Sequence, residues 1–225
     1  MRHAIHLYRS TIGKKVVMAL TGFILFGFLL AHMYGNLKAF QGPEKINTYA
    51  AALRTLGEPL LGHGHALFVA RLVLLSSVVL HVVAATQLTL LARAARPVAY
   101  HQEPHLELGY ASRTMRWGGV IIFLYVVYHL MHFTWGNAHP SFVAGDVYHN
   151  LVAGFQVWPV SVVYVVATAA VGAHLYHGLW SGLQTIGANH PRYNPYRRVG
   201  AAVFAVVVVV GFLSVPVAVM AGALR

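Results

Sequence analysis

Cysteine is absent from the 225 residues. Disulfides, a CxxC redox pair and an iron–sulfur cluster ligated by this chain are excluded with it. Haem is not, because histidine alone can ligate haem iron. Charge is scarce as well: charged residues make up 9% of the chain, against about 25% in soluble domains, which excludes an ordinary water-soluble domain. Acidic residues are the scarcest, with Asp+Glu 5 against Lys+Arg 16 and a net charge of +11. Such a surplus often marks a nucleic-acid binder, but these basic residues sit between long apolar runs and read as membrane topology. With 58% hydrophobic residues, intrinsic disorder is excluded. What is present in excess is histidine, 15 residues in a chain this apolar.

Five runs are long enough to cross a bilayer core, which takes about 20 residues. They cover approximately 16–37, 66–92, 117–138, 160–187 and 199–221. The first is not a cleavable signal, since its far end reads His32-Met33-Tyr34-Gly35-Asn36 rather than a small-residue cleavage site. Basic residues set the orientation. Arg2, Arg9, Lys14, Lys15, Arg93, Arg96, Arg113, Arg116, Arg192, Arg197 and Arg198 gather at one set of ends, and Lys38, Lys45, Arg54 and Arg225 at the other. The expectation is a single all-α integral membrane domain over 1–225. It has five transmembrane helices, the N-terminus cytoplasmic and the C-terminus outside, in a prokaryotic cytoplasmic (inner) membrane. The longest outer connection, 41–64, is expected to hold a short interfacial helix around Ile46–Leu53, and Pro159 to start the fourth span after an amphipathic turn. The longest inner connection is 93–116.

His32, His81, His129, His132, His174 and His177 lie within spans. Polar groups at that depth are costly and face the bundle interior. One such histidine often does no more than hydrogen-bond a neighbouring helix; one on each of the first four spans favours ligation. Taking the outer span ends near residues 40, 65, 137 and 156–159, His32 and His129 lie ~12 Å deep and His81 and His174 ~24 Å deep. Two levels, each with two histidines on different helices, suit two stacked haems with bis-imidazole ligation. Zinc prefers a tighter tetrahedral cluster. The expected architecture is therefore a haem-binding four-helix core plus a fifth helix. His132 and His177 share helix faces with His129 and His174. They are candidates for haem propionates, quinone hydrogen bonds or plain interhelical bonding. Arg71, the only basic side chain within a span, can pair with a propionate or snorkel to the surface. Glu58 can exchange a quinone proton or be a plain loop carboxylate.

The motifs resemble a known family. Ser10-Thr11-Ile12-Gly13-Lys14-Lys15 with Met18-Ala19-Leu20-Thr21-Gly22, then His32-Met33-Tyr34-Gly35-Asn36-Leu37, are similar to its first helix. Tyr128-His129-Leu130-Met131-His132-Phe133-Thr134 resembles its third helix. His174-Leu175-Tyr176-His177-Gly178-Leu179-Trp180-Ser181 with Gln184-Thr185-Ile186-Gly187 resembles its fourth. The family is the single-chain diheme cytochrome b anchor of succinate dehydrogenases and fumarate reductases, respiratory Complex II, and the likeness covers about residues 10–215.

That resemblance implies two b-type haems, the outer on His32 and His129 and the inner on His81 and His174. It implies a flavoprotein and an iron–sulfur subunit as partners on the cytoplasmic side, holding the FAD and the iron–sulfur clusters. Electrons from succinate would reach menaquinone or another quinone, linking the tricarboxylic acid cycle to the respiratory chain. The chain alone carries no dicarboxylate chemistry; the assembled complex is the succinate dehydrogenase (quinone). The expected quinone site lies near the outer haem, with Arg71 and His132 as candidate contacts. An inner site near His177, Trp180 and Ser181 is the alternative. The sequence departs from some members at Gly172, where they carry a glutamate. Two other readings stand beside this one: the cytochrome b anchor of a quinone-linked hydrogenase or formate dehydrogenase, and a haem-free transporter that uses histidines as proton relays.

Overall fold

The computed structural model describes residues 8–95 and 110–225, without the side chains of 110–114. Arg2 and Arg96 lie outside the described residues. The chain is all-helical, with no strand among the described residues. In chain order the elements are α1 (Thr11–Leu37), a 3-10 turn (Lys38–Gln41), α2 (Pro43–Ala52), α3 (His65–Ala94), α4 (Tyr110–Phe133), α5 (Val147–Gln156), α6 (Trp158–Thr185) and α7 (Asn194–Met220).

Local chemistry sets most of the boundaries. Ser10 opens α1 by accepting the Gly13 amide at 2.9 Å. Gly42, with φ of 94°, breaks the chain after the 3-10 turn, and Pro43 starts α2 at a position where its missing N–H costs nothing. The interfacial helix expected around residues 46–53 is thus present as α2. Asp146 opens α5 by accepting the His149 amide at 3.0 Å. One extended residue, Val157, separates α5 from α6, and Pro159 lies in the first turn of α6 as expected.

Among the described residues, four helices are long and apolar enough to cross a membrane: Thr11–Gln41, His65–Ala94, Trp158–Thr185 and Asn194–Met220. The third expected run is the exception. Its helix begins earlier, at Tyr110, and ends at Phe133 rather than near 138. Gly136 takes φ of 77°, and the Trp135 and Ala138 amides turn back to the Leu130 and Met131 carbonyls at 2.9 and 3.2 Å. This closes the helix in the manner of a glycine C-cap. The apolar stretch left after Arg116 is shorter than a full crossing of about 20 residues.

The long helices pack in a defined order. α1 lies against α3, α6 and α7, and α6 lies against α4 and α7. One apolar cluster, around Leu175, Ala205 and Val208, joins α6 and α7 to Phe26, Leu29 and Met33 of α1. A second cluster caps one end of the bundle, where Ile46 of α2 and Leu151, Val152 and Phe155 of α5 meet Tyr164, Val215 and Val219. The α2/α5 end is therefore built as a lid of two short helices. At the opposite end the Tyr8 hydroxyl donates to Gln87 Oε1 at 3.1 Å, tying the start of α1 to the last turns of α3.

Candidate functional site

Two helix pairs, α1 with α4 and α3 with α6, have little backbone contact and meet through imidazoles. His32 of α1 and His129 of α4 have ring centroids 5.7 Å apart. His81 of α3 and His174 of α6 have centroids 6.2 Å apart. The four histidines separated by depth in the sequence thus meet in the same two pairs. All four are half-buried. Among the described residues no three histidine or acidic side chains converge on one point.

The donor set fits an axially ligated flat macrocycle. Two imidazoles bound to one metal on opposite sides, with metal–nitrogen bonds of about 2 Å, hold their centroids roughly 6 Å apart. Ligating imidazoles also commonly donate the other ring N–H to a carbonyl or hydroxyl. His81 does so. Its Nδ1 lies 3.1 Å from the Met18 carbonyl and 3.2 Å from Thr21 Oγ1. Thr21 gives its own proton to the Val17 carbonyl at 2.7 Å, so its oxygen is left to accept. The proton of His81 therefore sits on Nδ1, and Nε2 carries the lone pair. Gly22 faces this ring: a Cβ there would lie 3.5 Å from His81 Cε1. The partner His174 has its Nδ1 buried without a hydrogen bond, a group in need of one.

At the α2/α5 end the arrangement is denser. The Tyr164 hydroxyl lies 3.2 Å from His129 Nδ1 and 3.0 Å from His132 Nδ1. His132 is fully buried, at 0% exposure, and its Nε2 has no partner. It is stacked on Tyr128 and His139, with centroids 5.6 and 4.8 Å away. Above it runs α5 at Gly154, where a Cβ would stand 2.9 Å from His132 Cε1. His139 in turn donates from Nε2 to the Asn150 carbonyl at 2.8 Å. His132 is enclosed in this arrangement, whereas the half-buried ring of His129 faces that of His32.

The remaining candidates are more scattered. Arg71 is exposed on α3. His177 packs edge-on to Trp180, with centroids 5.6 Å apart. The guanidiniums of Arg197 and Arg198 lie 5.9 and 5.1 Å from the Trp180 ring, and Trp180 Nε1 is buried without a partner. Ser181, half-buried, accepts the Thr185 hydroxyl at its carbonyl, 3.1 Å away. Glu58 pairs with His63 at 3.2 Å in the loop after α2. Gly172 lets α6 close on Val209 of α7, so its neighbour there is a side chain of the bundle.

Sequence reasoning missed Tyr164, His139 and Asn150. Tyr164 had a signal, since it belongs to the buried stripe Ser161, Tyr164, Thr168, Gly172 and Leu175 at helical spacing on α6. No curated protein and no solved structure matches the chain. The family described as the succinate dehydrogenase/fumarate reductase transmembrane subunit does, over residues 92–213. That span covers more than half of the 225 residues and includes α4, α6 and the histidines at 129, 132, 174 and 177. The chain is a multi-pass membrane protein that belongs to the family of succinate dehydrogenase and fumarate reductase transmembrane subunits.

Proposed function

We propose that this chain is the diheme cytochrome b anchor of a succinate:quinone oxidoreductase. The observation that carries the reading is the meeting of four intramembrane histidines as two cross-bundle pairs, each joining helices that share little other contact. His32 and His129 would hold the outer b-type haem and His81 and His174 the inner one. When bound, the two haems supply one-electron carriage between the iron–sulfur partner and menaquinone or another quinone.

The chain's own residues do the rest. Met18 and Thr21 fix the His81 tautomer, and the Tyr164 hydroxyl lies within hydrogen-bond distance of His129 Nδ1. The flavoprotein and iron–sulfur subunits dock on the basic, cytoplasmic ends, as family membership supports. Arg71, on the open face of α3, is the candidate contact for an outer quinone or an outer-haem propionate. His132, being enclosed, stays behind Tyr164. At the other end His177, Trp180 and Ser181 form the candidate lining for an inner propionate or quinone. Membership of this family favours the succinate dehydrogenase assignment over a hydrogenase or formate dehydrogenase anchor and over a transporter.

The test is a pyridine haemochrome assay on the purified complex, with its subunits identified. Two non-covalent b haems per chain, together with a flavoprotein and an iron–sulfur subunit, are expected. One haem or none overturns the diheme reading, and other soluble partners overturn the succinate assignment.

A further inference from the structure

Tyr164 has one hydroxyl proton and two imidazole nitrogens within hydrogen-bond distance, His129 Nδ1 at 3.2 Å and His132 Nδ1 at 3.0 Å. Only one of the two can receive that proton, and the other pairs with Tyr164 by donating its own N–H to the oxygen. The two orders in which the Tyr164 proton is used have opposite consequences for the far side of His129. If Tyr164 donates to His129, the proton of neutral His129 sits on Nε2 and blocks ligation there. If Tyr164 donates to His132, His129 carries its proton on Nδ1, and Nε2 presents a lone pair toward His32.

We propose that His132 and Tyr164 form a polarity-setting relay, in which buried His132 accepts the Tyr164 O–H hydrogen bond at Nδ1 so that the Tyr164 oxygen accepts from His129 and holds it as an Nε2 ligand. This rests on the proposed ligand role of His129 and goes beyond it by giving His132 and Tyr164 specific work. The enclosure of His132 is what makes the relay one-sided. With 0% exposure it has no water to compete for its Nδ1. Its Nε2, left with the proton, points at the α5 backbone near Gly154. His81 reaches the same state by a simpler route, because the Met18 carbonyl can only accept.

A ligand imidazole whose N–H is accepted by an oxygen is more basic and favours the oxidised iron. Removing that acceptor makes the outer centre easier to reduce. The experiment is redox titration with low-temperature EPR on the intact complex in nanodiscs, comparing wild type, Tyr164→Phe, His132→Leu and His132→Gln. Phenylalanine keeps the ring among Phe133, Phe155 and Tyr125 and removes only the oxygen. With Tyr164→Phe, the outer haem's reduction equilibrium is expected to move threefold to tenfold toward the reduced form, ~30–60 mV for one electron. His132→Leu should move it in the same direction. His132→Gln, which offers an amide oxygen to Tyr164, should restore most of it. The inner haem should not move, and the haem count should stay at two. An unchanged outer potential and EPR signal in Tyr164→Phe overturns the relay, as does an equal shift of both haems. Wild-type protein lacking two haems overturns the proposed function instead, so the two failures are distinct.

Discussion

A neutral imidazole brings one donor and one acceptor into the bilayer, and both need partners. His81 satisfies its donor on α1 through Met18 and Thr21, which leaves the acceptor aimed across the bundle. His132 is enclosed on every side, and His129 is not. Single alanine replacements should therefore divide cleanly. His81→Ala or His174→Ala should cost the inner haem, and His32→Ala or His129→Ala the outer one. His132→Ala and His177→Ala should retain both, as read by haem per chain in the purified complex. Loss of a haem from His132→Ala with none from His129→Ala would reverse the ligand choice. The pairing was legible in the sequence because helical rise turns residue number into depth, and an ionisable group deep in an apolar run stands out. Tyr164 was not legible, being one of 12 tyrosines. Its task exists only because α6 sets it between two side chains of α4.

The short helices carry more than their length suggests. α2 and α5 are joined through Asn47, which donates to Asp146 at 3.0 Å and accepts the Tyr148 amide at 3.1 Å. Asp146 also caps α5 through the His149 amide. The His149 amide, then the Asn47 side chain, hold the Asp146 carboxyl below its ordinary value. A carboxyl depressed in the folded state stabilises the fold above its unfolded value and loses that contribution as pH falls through the folded one. Asp146→Ala should thus cost about 1 kcal/mol at neutral pH, the usual worth of an N-cap. Its deficit against wild type should begin to shrink once pH falls below the ordinary carboxyl value of about 4 and vanish as pH falls through the lower folded one. Thermal unfolding of the two proteins across that pH range checks this; a deficit that grows on acidification contradicts the assignment. From sequence, Gly42-Pro43 and Pro159 punctuate the chain plainly, so α2 and the start of α6 were readable. The end of α4 was not. Thr134 and Trp135 continue the apolar pattern, and the stop depends on Gly136 taking a left-handed turn.

At the scale of the molecule, the lid decides how α4 runs. α3 leads away from α2 to the far end of the bundle, while α5 is back against α2, joined to it through Asn47 and Asp146. The chain between α3 and α5 has to return, and α4, at 24 residues, is ~36 Å long. That exceeds the ~30 Å hydrocarbon core, although its apolar stretch is short; Arg116 then sits at the basic end. On the proposed reading α4 makes a fifth crossing, with the basic ends cytoplasmic and the lid outside. A chain without cysteine makes the test simple, because any introduced thiol is the only one in the subunit. Thr55→Cys, before α3, and Ala144→Cys, before α5, should react with a membrane-impermeant maleimide in intact cells. Arg9→Cys and Asn189→Cys should react only in inverted vesicles. All four positions are exposed, so reactivity reports side rather than burial. Labelling of Ala144→Cys and Asn189→Cys from the same side would remove the crossing by α6. Labelling of Thr55→Cys and Ala144→Cys from opposite sides would remove the return through α4, and with it the placement of His129 opposite His32 at one depth.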